Sequence, residues 1–216
     1  MQVRVWDLSV RLFHWALVAV LLFQVVSGKL GGRLIDWHLY GGYAVFVLVA
    51  FRVLWGFAGS TTARFTSFVV RPAAALSFGA RLLSRRAEAY AGHNPLGGWM
   101  VVALLLSLAL QVGTGLFSND GIATDGPLAA LISIELSDRL TEVHRWNVWI
   151  LLALAAVHTA AALYHWLVLK EDLIGAMFTG VKRLRAGETA ATFASPWRAL
   201  LVFACALAAV GLIVTV

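Results

Sequence analysis

The stretch SDRLTEVHRWNVWILLALAAVHTAAALYHWLVLK, Ser137–Lys170, decides the fold. Its apolar run, 147–169, is long enough to cross a bilayer, which takes about 20 mostly apolar residues. His144 and His158 stand fourteen residues apart along it. Fourteen residues make nearly four helical turns, so both side chains leave one face within about 40°, with a rise of about 21 Å between them. Ionisable residues at membrane depth are costly and usually functional. No single metal ion bridges that gap, and a zinc site draws its ligands from close spacings or from converging helices. For any one histidine the plain alternative is a hydrogen-bonded core residue. A proton path along this face would need polar steps that the helix lacks.

Working outward, four more apolar stretches share the character of this one, giving spans at about 12–28, 38–58, 96–117, 147–169 and 197–216. The composition agrees: 61% of residues are hydrophobic and 13% charged, against about half and a quarter in soluble domains. The fold predicted is all-α, an integral membrane helix bundle. The first stretch lacks a small-residue cleavage site and carries His14 and Gln24, so it reads as a retained helix. The last has no charge between Ala199 and Val216, and no polar face for lying on a membrane. Between spans two and three, Pro72 and the helix-forming run 73–83 predict an interfacial helix. The segment 118–143, with Gly121, Gly126 and Pro127, predicts a loop with a short helix. No internal repeat stands out. The single cysteine, Cys205, permits neither an internal disulfide nor a thiolate metal cluster.

Charge sets the orientation. Arg4, Arg11, Arg64, Arg71, Arg81, Arg85, Arg86, Lys170, Lys182, Arg183, Arg185 and Arg198 fall on one side. Lys29, Arg33, Arg139 and Arg145 fall on the other. This positive-inside bias predicts a cytoplasmic N-terminus. The far side carries the acids Asp36, Asp120, Asp125, Glu135, Asp138 and Glu142. The net charge of +6 therefore expresses topology and contact with anionic membrane lipid, and nucleic acid is not an expected partner.

Two levels about 21 Å apart suit two haem irons, each held between a pair of histidines from different helices. His38 opens span two level with His144. His14 lies near the cytoplasmic side, level with His158, but His165 competes for that depth. No CxxCH occurs, so attachment would be non-covalent. Gly41, Gly42, Gly113 and Gly115 would let a flat macrocycle approach the backbone, or equally serve close helix packing. Arg52, fourteen residues after His38, needs an anion, and with no acid inside a span a haem propionate is the expected one. Arg11 contacts a propionate or snorkels to the interface. His93 either helps to start span three with Asn94-Pro95, or contacts a propionate or a quinone; His165 is a second candidate for such a contact.

The segments VWDLSVRLFHW (Val5–Trp15), DWHLYGGY (Asp36–Tyr43), HNPLGGW (His93–Trp99), TGLFSND (Thr114–Asp120) and SDRLTEVHRWN (Ser137–Asn147) resemble the prokaryotic cytochrome b561 family. That family is similar to the b-type cytochrome subunit of nickel–iron hydrogenases. The resemblance covers nearly all of residues 1–180. It implies a four-helix haem-binding core over 1–180, with 181–216 as linker and fifth transmembrane helix. It implies two haems b, with His14, His38, His144 and His158 as iron ligands, and it prefers His158 over His165. The expected function is electron transfer between membrane quinone and a periplasmic-side redox partner, a soluble c-type cytochrome or another redox subunit. The alternative is a superoxide:quinone oxidoreductase working without a protein partner. The expected location is a bacterial inner membrane.

Overall fold

Four of the five membrane-length helices begin where the sequence offers a polar cap, at Asp7, Asn94, Ser133 and Ser195, and the first two end at glycines. The computed structural model describes residues 2–84, 90–183 and 191–215. Arg85, Arg86, Arg185 and Val216, which entered the charge and span expectations, lie outside the described residues. Helix α1, Leu8–Leu30, starts on Asp7, whose Oδ1 accepts from Val10 N–H at 2.7 Å. It stops at Gly31, where φ is +58°. Gly31 and Gly32 both hold positive φ, a backbone region open to glycine, and a 3₁₀ turn at Gly32–Leu34 feeds α2, Ile35–Ala58. A short helix α3, Phe65–Phe68, precedes α4, Pro72–Leu83, which matches the helix expected there. Helix α5, Pro95–Gly115, is capped by Asn94, whose Oδ1 accepts from Gly97 N–H at 2.7 Å.

Helix α6, Ile134–Leu167, corrects the sequence reading. It starts at the Ser133 cap, thirteen residues before the expected span, and its 34 residues extend about 51 Å. The hydrocarbon core is about 30 Å thick, so its first turns stand clear of it. Polar residues from Glu135 to Arg145 hide this extension from any hydropathy reading. The preceding loop therefore closes at Ser133, with a 3₁₀ turn at Ala129–Leu131. Helix α7, Leu173–Thr179, and strand β2, Val181–Arg183, follow, and α8, Pro196–Val214, is the fifth span. Strand β2 pairs antiparallel with β1, Gln2–Arg4, with Val3 opposite Lys182. The stretch expected as linker thus opens on a strand tied to the N-terminus.

Helix α2 sits at the centre, packed on α1, α5 and α8, while α6 lies against α5. Val45 and Val49 of α2, Leu108 of α5 and Leu151 of α6 form a buried layer with Leu17, Val20 and Leu21 of α1. Leu151 is seven residues from both His144 and His158, so this layer divides the bundle into two levels. A second cluster, on the side of the chain's N-terminus, joins Val5, Trp6, Phe51, Trp55 and Ala63 to Ala199 and Ala206 of α8. The outer faces are apolar and exposed, as at Leu12, Leu22, Leu106, Ile150 and Leu201. Five helices are long and apolar enough to cross a membrane. Exposed leucines in such numbers suit a lipid surround.

Candidate functional site

The four histidines meet in two pairs. His38 and His144 face each other with ring centroids 6.1 Å apart, and His14 and His158 with centroids 6.3 Å apart. One pair lies on each side of the Val45–Leu151 layer. Metal–imidazole bonds are about 2 Å long. Two of them end to end, with the inner half of each ring, span just such a separation. Among the described residues no cluster of three or more His, Cys, Asp or Glu could hold a bare metal ion. Each pair offers only two axial nitrogens, which fits a metal whose other ligands come from a macrocycle.

The far-side pair is held in detail. His38 Nδ1 lies 3.1 Å from the main-chain oxygen of Gln24 and 3.1 Å from Ser27 Oγ. The Gln24 side chain donates back to the His38 carbonyl at 2.9 Å. His144 Nδ1 lies 2.9 Å from the main-chain oxygen of Gln111 and 3.4 Å from Thr114 Oγ1, and Gln111 Nε2 donates to the His144 carbonyl at 3.1 Å. A carbonyl only accepts, so both rings carry their proton on Nδ1 and keep the Nε2 lone pair for a metal. Glycine makes room for both rings. A Cβ at Gly28 would stand 2.8 Å from His38 Cε1, and one at Gly115 would stand 3.0 Å from His144 Cε1. Asn147 braces the second arrangement, donating to Gln111 Oε1 at 2.7 Å and accepting from Ser107 Oγ at 3.1 Å.

Sequence reasoning missed these supports. The signal was there: Gln24-Val25-Val26-Ser27-Gly28 and Gln111-Val112-Gly113-Thr114-Gly115 share the pattern Q-V-x-[S/T]-G. The expectation of no internal repeat is corrected at this local scale. Of the glycines expected to admit a macrocycle, Gly115 seats His144, and Gly41 and Gly42 pack against the Gln24 side chain. A Cβ at Gly113 would meet nothing within 4 Å.

The His14–His158 level is built differently. His14 Nδ1 is buried with no partner among the described residues, and Trp15 lies edge-on at 4.9 Å. Arg52 is 3% exposed and its Nη1 also lacks a partner, while its guanidinium lies 5.4 Å above Phe65 and 5.9 Å above Phe68. Asp7, a buried acid from outside the spans, lies within Coulombic reach of Arg52 but makes no ion pair with it among the described residues. Its oxygens serve the α1 cap and Trp55 Nε1, at 3.2 Å. Arg11 donates to the Phe178 carbonyl and leaves Nε buried and unpartnered. His93 is wedged between Trp6 at 4.8 Å and Phe68 at 4.6 Å, with no partner for Nδ1. Burial, then the charges of Arg52, His158, Lys182 and His14, push its pKa down to about 3. Asn94, not His93, caps α5.

His165 turns away from this level to the polar end of the bundle. Its Nδ1 is 2.6 Å from Glu171 Oε2, and Lys182 Nζ is 2.5 Å from Glu171 Oε1. Burial pushes the Glu171 carboxyl up, but hydrogen bonds from His165 and Lys182 and the Lys182 charge outweigh it, holding the pKa at about 2. On the far side, a cleft of about 290 Å³ beside His144 is lined by Asn119, Asp120, Asp138, Thr141, Glu142 and Arg145.

The profile of prokaryotic cytochrome b561 matches residues 5–180. The chain belongs to the prokaryotic cytochrome b561 family. This b561-family chain is therefore a helical membrane b-type cytochrome, an electron-transfer protein using haem b. It is 23% identical, over 216 residues, to a probable Ni/Fe-hydrogenase B-type cytochrome subunit of Bradyrhizobium diazoefficiens, covering 85% of this chain and 87% of that one. It is 26% identical, over 215 residues, to a probable Ni/Fe-hydrogenase B-type cytochrome subunit of Azotobacter vinelandii, covering 82% and 87%. No solved structure matches this cytochrome.

Proposed function

We propose that this cytochrome binds two haems b and carries electrons across a bacterial inner membrane, between quinone and a periplasmic-side redox partner. The supporting observation is the pair of imidazole couples, 6.1 and 6.3 Å apart, set fourteen residues apart along α6. His38 and His144 hold the periplasmic-side haem, and His14 and His158 the cytoplasmic-side one. Residues 1–180 form the haem-binding unit, and α8 flanks it through α2. The N-terminus is cytoplasmic, since basic residues crowd that side.

Haem held by these histidines would supply one-electron chemistry. The protein's residues do the rest. Arg52, with His93 nearby, leaves buried polar atoms unpartnered that would suit the carboxylates of the cytoplasmic-side haem, and Arg11 Nε is a third such atom on that side. His165, hydrogen-bonded to Glu171 beside Lys182, offers a polar cluster at that end of the bundle for a quinone head group. The hydrogenase cytochrome relatives favour a hydrogenase-type redox subunit as partner at the periplasmic face, with a soluble cytochrome as the other candidate. Superoxide is the less suitable substrate there. The cleft beside His144 holds Asp120, Asp138 and Glu142 against Arg145, a lining that repels a small anion.

A reduced-minus-oxidised spectrum with haem counting tests the reading. Two low-spin b haems per chain are expected, and one haem or none removes it. Alanine at His144 or His158 should cost one haem and spare the other.

A further inference from the structure

We propose that the two Q-V-x-[S/T]-G segments are matched positioning elements that make the periplasmic-side haem the lower-potential of the two. This rests on the dihaem reading. The correspondence runs atom by atom. Ser27 Oγ donates to the carbonyl four residues back, Phe23, at 2.8 Å, and Thr114 Oγ1 does the same to Leu110 at 2.7 Å. Each hydroxyl then turns a lone pair toward a histidine Nδ1 on the next helix. Each glutamine offers its main-chain oxygen to that Nδ1 and donates its side-chain amide to the same histidine's carbonyl. Each closing glycine leaves space for the ring. Gln24 precedes its histidine by fourteen residues and Gln111 by thirty-three, so the likeness lies in the five-residue segment and not in the connection. The copies differ in their bracing. Asn147 satisfies Gln111 Oε1, whereas Gly41, three residues after His38 as Asn147 is after His144, leaves Gln24 Oε1 buried without a partner.

An imidazole that gives its Nδ1 proton to an oxygen becomes a stronger donor at Nε2, and this favours the oxidised iron. Both ligands of the periplasmic-side haem are held so. On the other side His14 Nδ1 is buried with no partner, and the more exposed His158 makes no side-chain hydrogen bond among the described residues. Arg52, buried on that side, adds positive charge that favours the reduced iron. Both effects set the potentials in the same order. That order favours electron flow from the periplasmic to the cytoplasmic side.

Potentiometric titration of the purified two-haem protein tests this, with His144→Ala and His158→Ala used to assign each midpoint. The periplasmic-side midpoint should be the lower. Gln24→Leu with Gln111→Leu removes the amides that hold each histidine's backbone in register with the main-chain oxygen its Nδ1 meets. With those Nδ1 bonds loosened, that midpoint should rise, the other should stay in place, and the low-spin electron resonance signal of that haem alone should change. Ser27→Thr and Thr114→Ser, which exchange one copy's hydroxyl for the other's, should leave both midpoints unmoved. A wild-type periplasmic-side midpoint equal to or above the other overturns the proposal, whether or not the variants fold. So does a glutamine double variant that keeps both haems and shifts neither midpoint, or shifts both equally. A protein lacking two haems would instead remove the dihaem reading itself.

Discussion

Arg52 is the costly side chain of the bundle. A guanidinium at bilayer depth costs about 3 kcal/mol or more, and this one is 3% exposed with Nη1 unpartnered. Sequence reading sees the charge and its face but not Asp7, which comes from a distant segment and is spent on a cap and on Trp55. Arg52→Leu should lower the cytoplasmic-side midpoint by on the order of 60 mV, one tenfold step for a single electron. Redox titration reads this, and an unmoved midpoint would separate Arg52 from that haem. Glu171 makes a second prediction. Its folded pKa of about 2 lies below the ordinary 4.5. The stability it contributes is complete above about pH 4.5 and is lost as pH falls toward 2. Glu171→Gln should flatten thermal stability across that window. Near neutral pH it should cost about 1–3 kcal/mol, because Lys182, 5% exposed, loses its carboxylate. His165→Ala should keep both haems and slow quinone turnover. Loss of the cytoplasmic-side haem would transfer the ligand role from His158.

At the scale of elements, the ends of α1 and α5 seat the histidines of α2 and α6. Gly115→Val should therefore eject the periplasmic-side haem with the helical signal in circular dichroism retained, since its Cβ would stand 3.0 Å from His144 Cε1. Gly113→Ala, facing open space, should keep both haems. A two-haem spectrum from Gly115→Val would refute the seat. The spans were legible because apolar length is a local property. The start of α6 was not, because Glu135, Asp138, Arg139 and Glu142 make four helical turns look like loop, and only the Ser133 cap marks the boundary. Depth alone could not separate His158 from His165, since both are close to the basic end. The structure separates them by neighbour, giving one to His14 at 6.3 Å and the other to Glu171 at 2.6 Å. The Q-V-x-[S/T]-G recurrence is faint in the sequence because five mostly small residues at helix ends look like ordinary packing.

For the molecule as a whole, the two faces differ in charge, and that difference governs what can dock. On the proposed reading the His38–His144 haem would lie between helix ends, and exchange with a partner would take place at the loops beside His144. The acids there are not equally available. Glu135 is paired with Arg139 at 2.6 Å, and Asp120 is committed to the N–H groups of Ile122, Ala123 and Thr124. Asp138 accepts one bond from Asn119 at 2.9 Å, and Glu142 accepts from Trp146, so each keeps charge turned toward the cleft. The acid could simply complete the membrane charge asymmetry, in which case it would not affect exchange. If instead it guides a basic partner, attraction acts mainly on encounter and salt screens it, the Debye length shrinking to about 8 Å at physiological ionic strength. Electron transfer to a basic soluble cytochrome should then slow as ionic strength rises. Asp138→Asn with Glu142→Gln should slow it several-fold at low salt and abolish most of the salt dependence, whereas Glu135→Gln should do little because Arg139 already offsets it. Stopped-flow mixing at two ionic strengths measures this. Rates indifferent to salt and to the Asp138 and Glu142 replacements would rule out a soluble partner steered by charge. An embedded redox subunit like that of the hydrogenase relatives would then be the acceptor surface to seek.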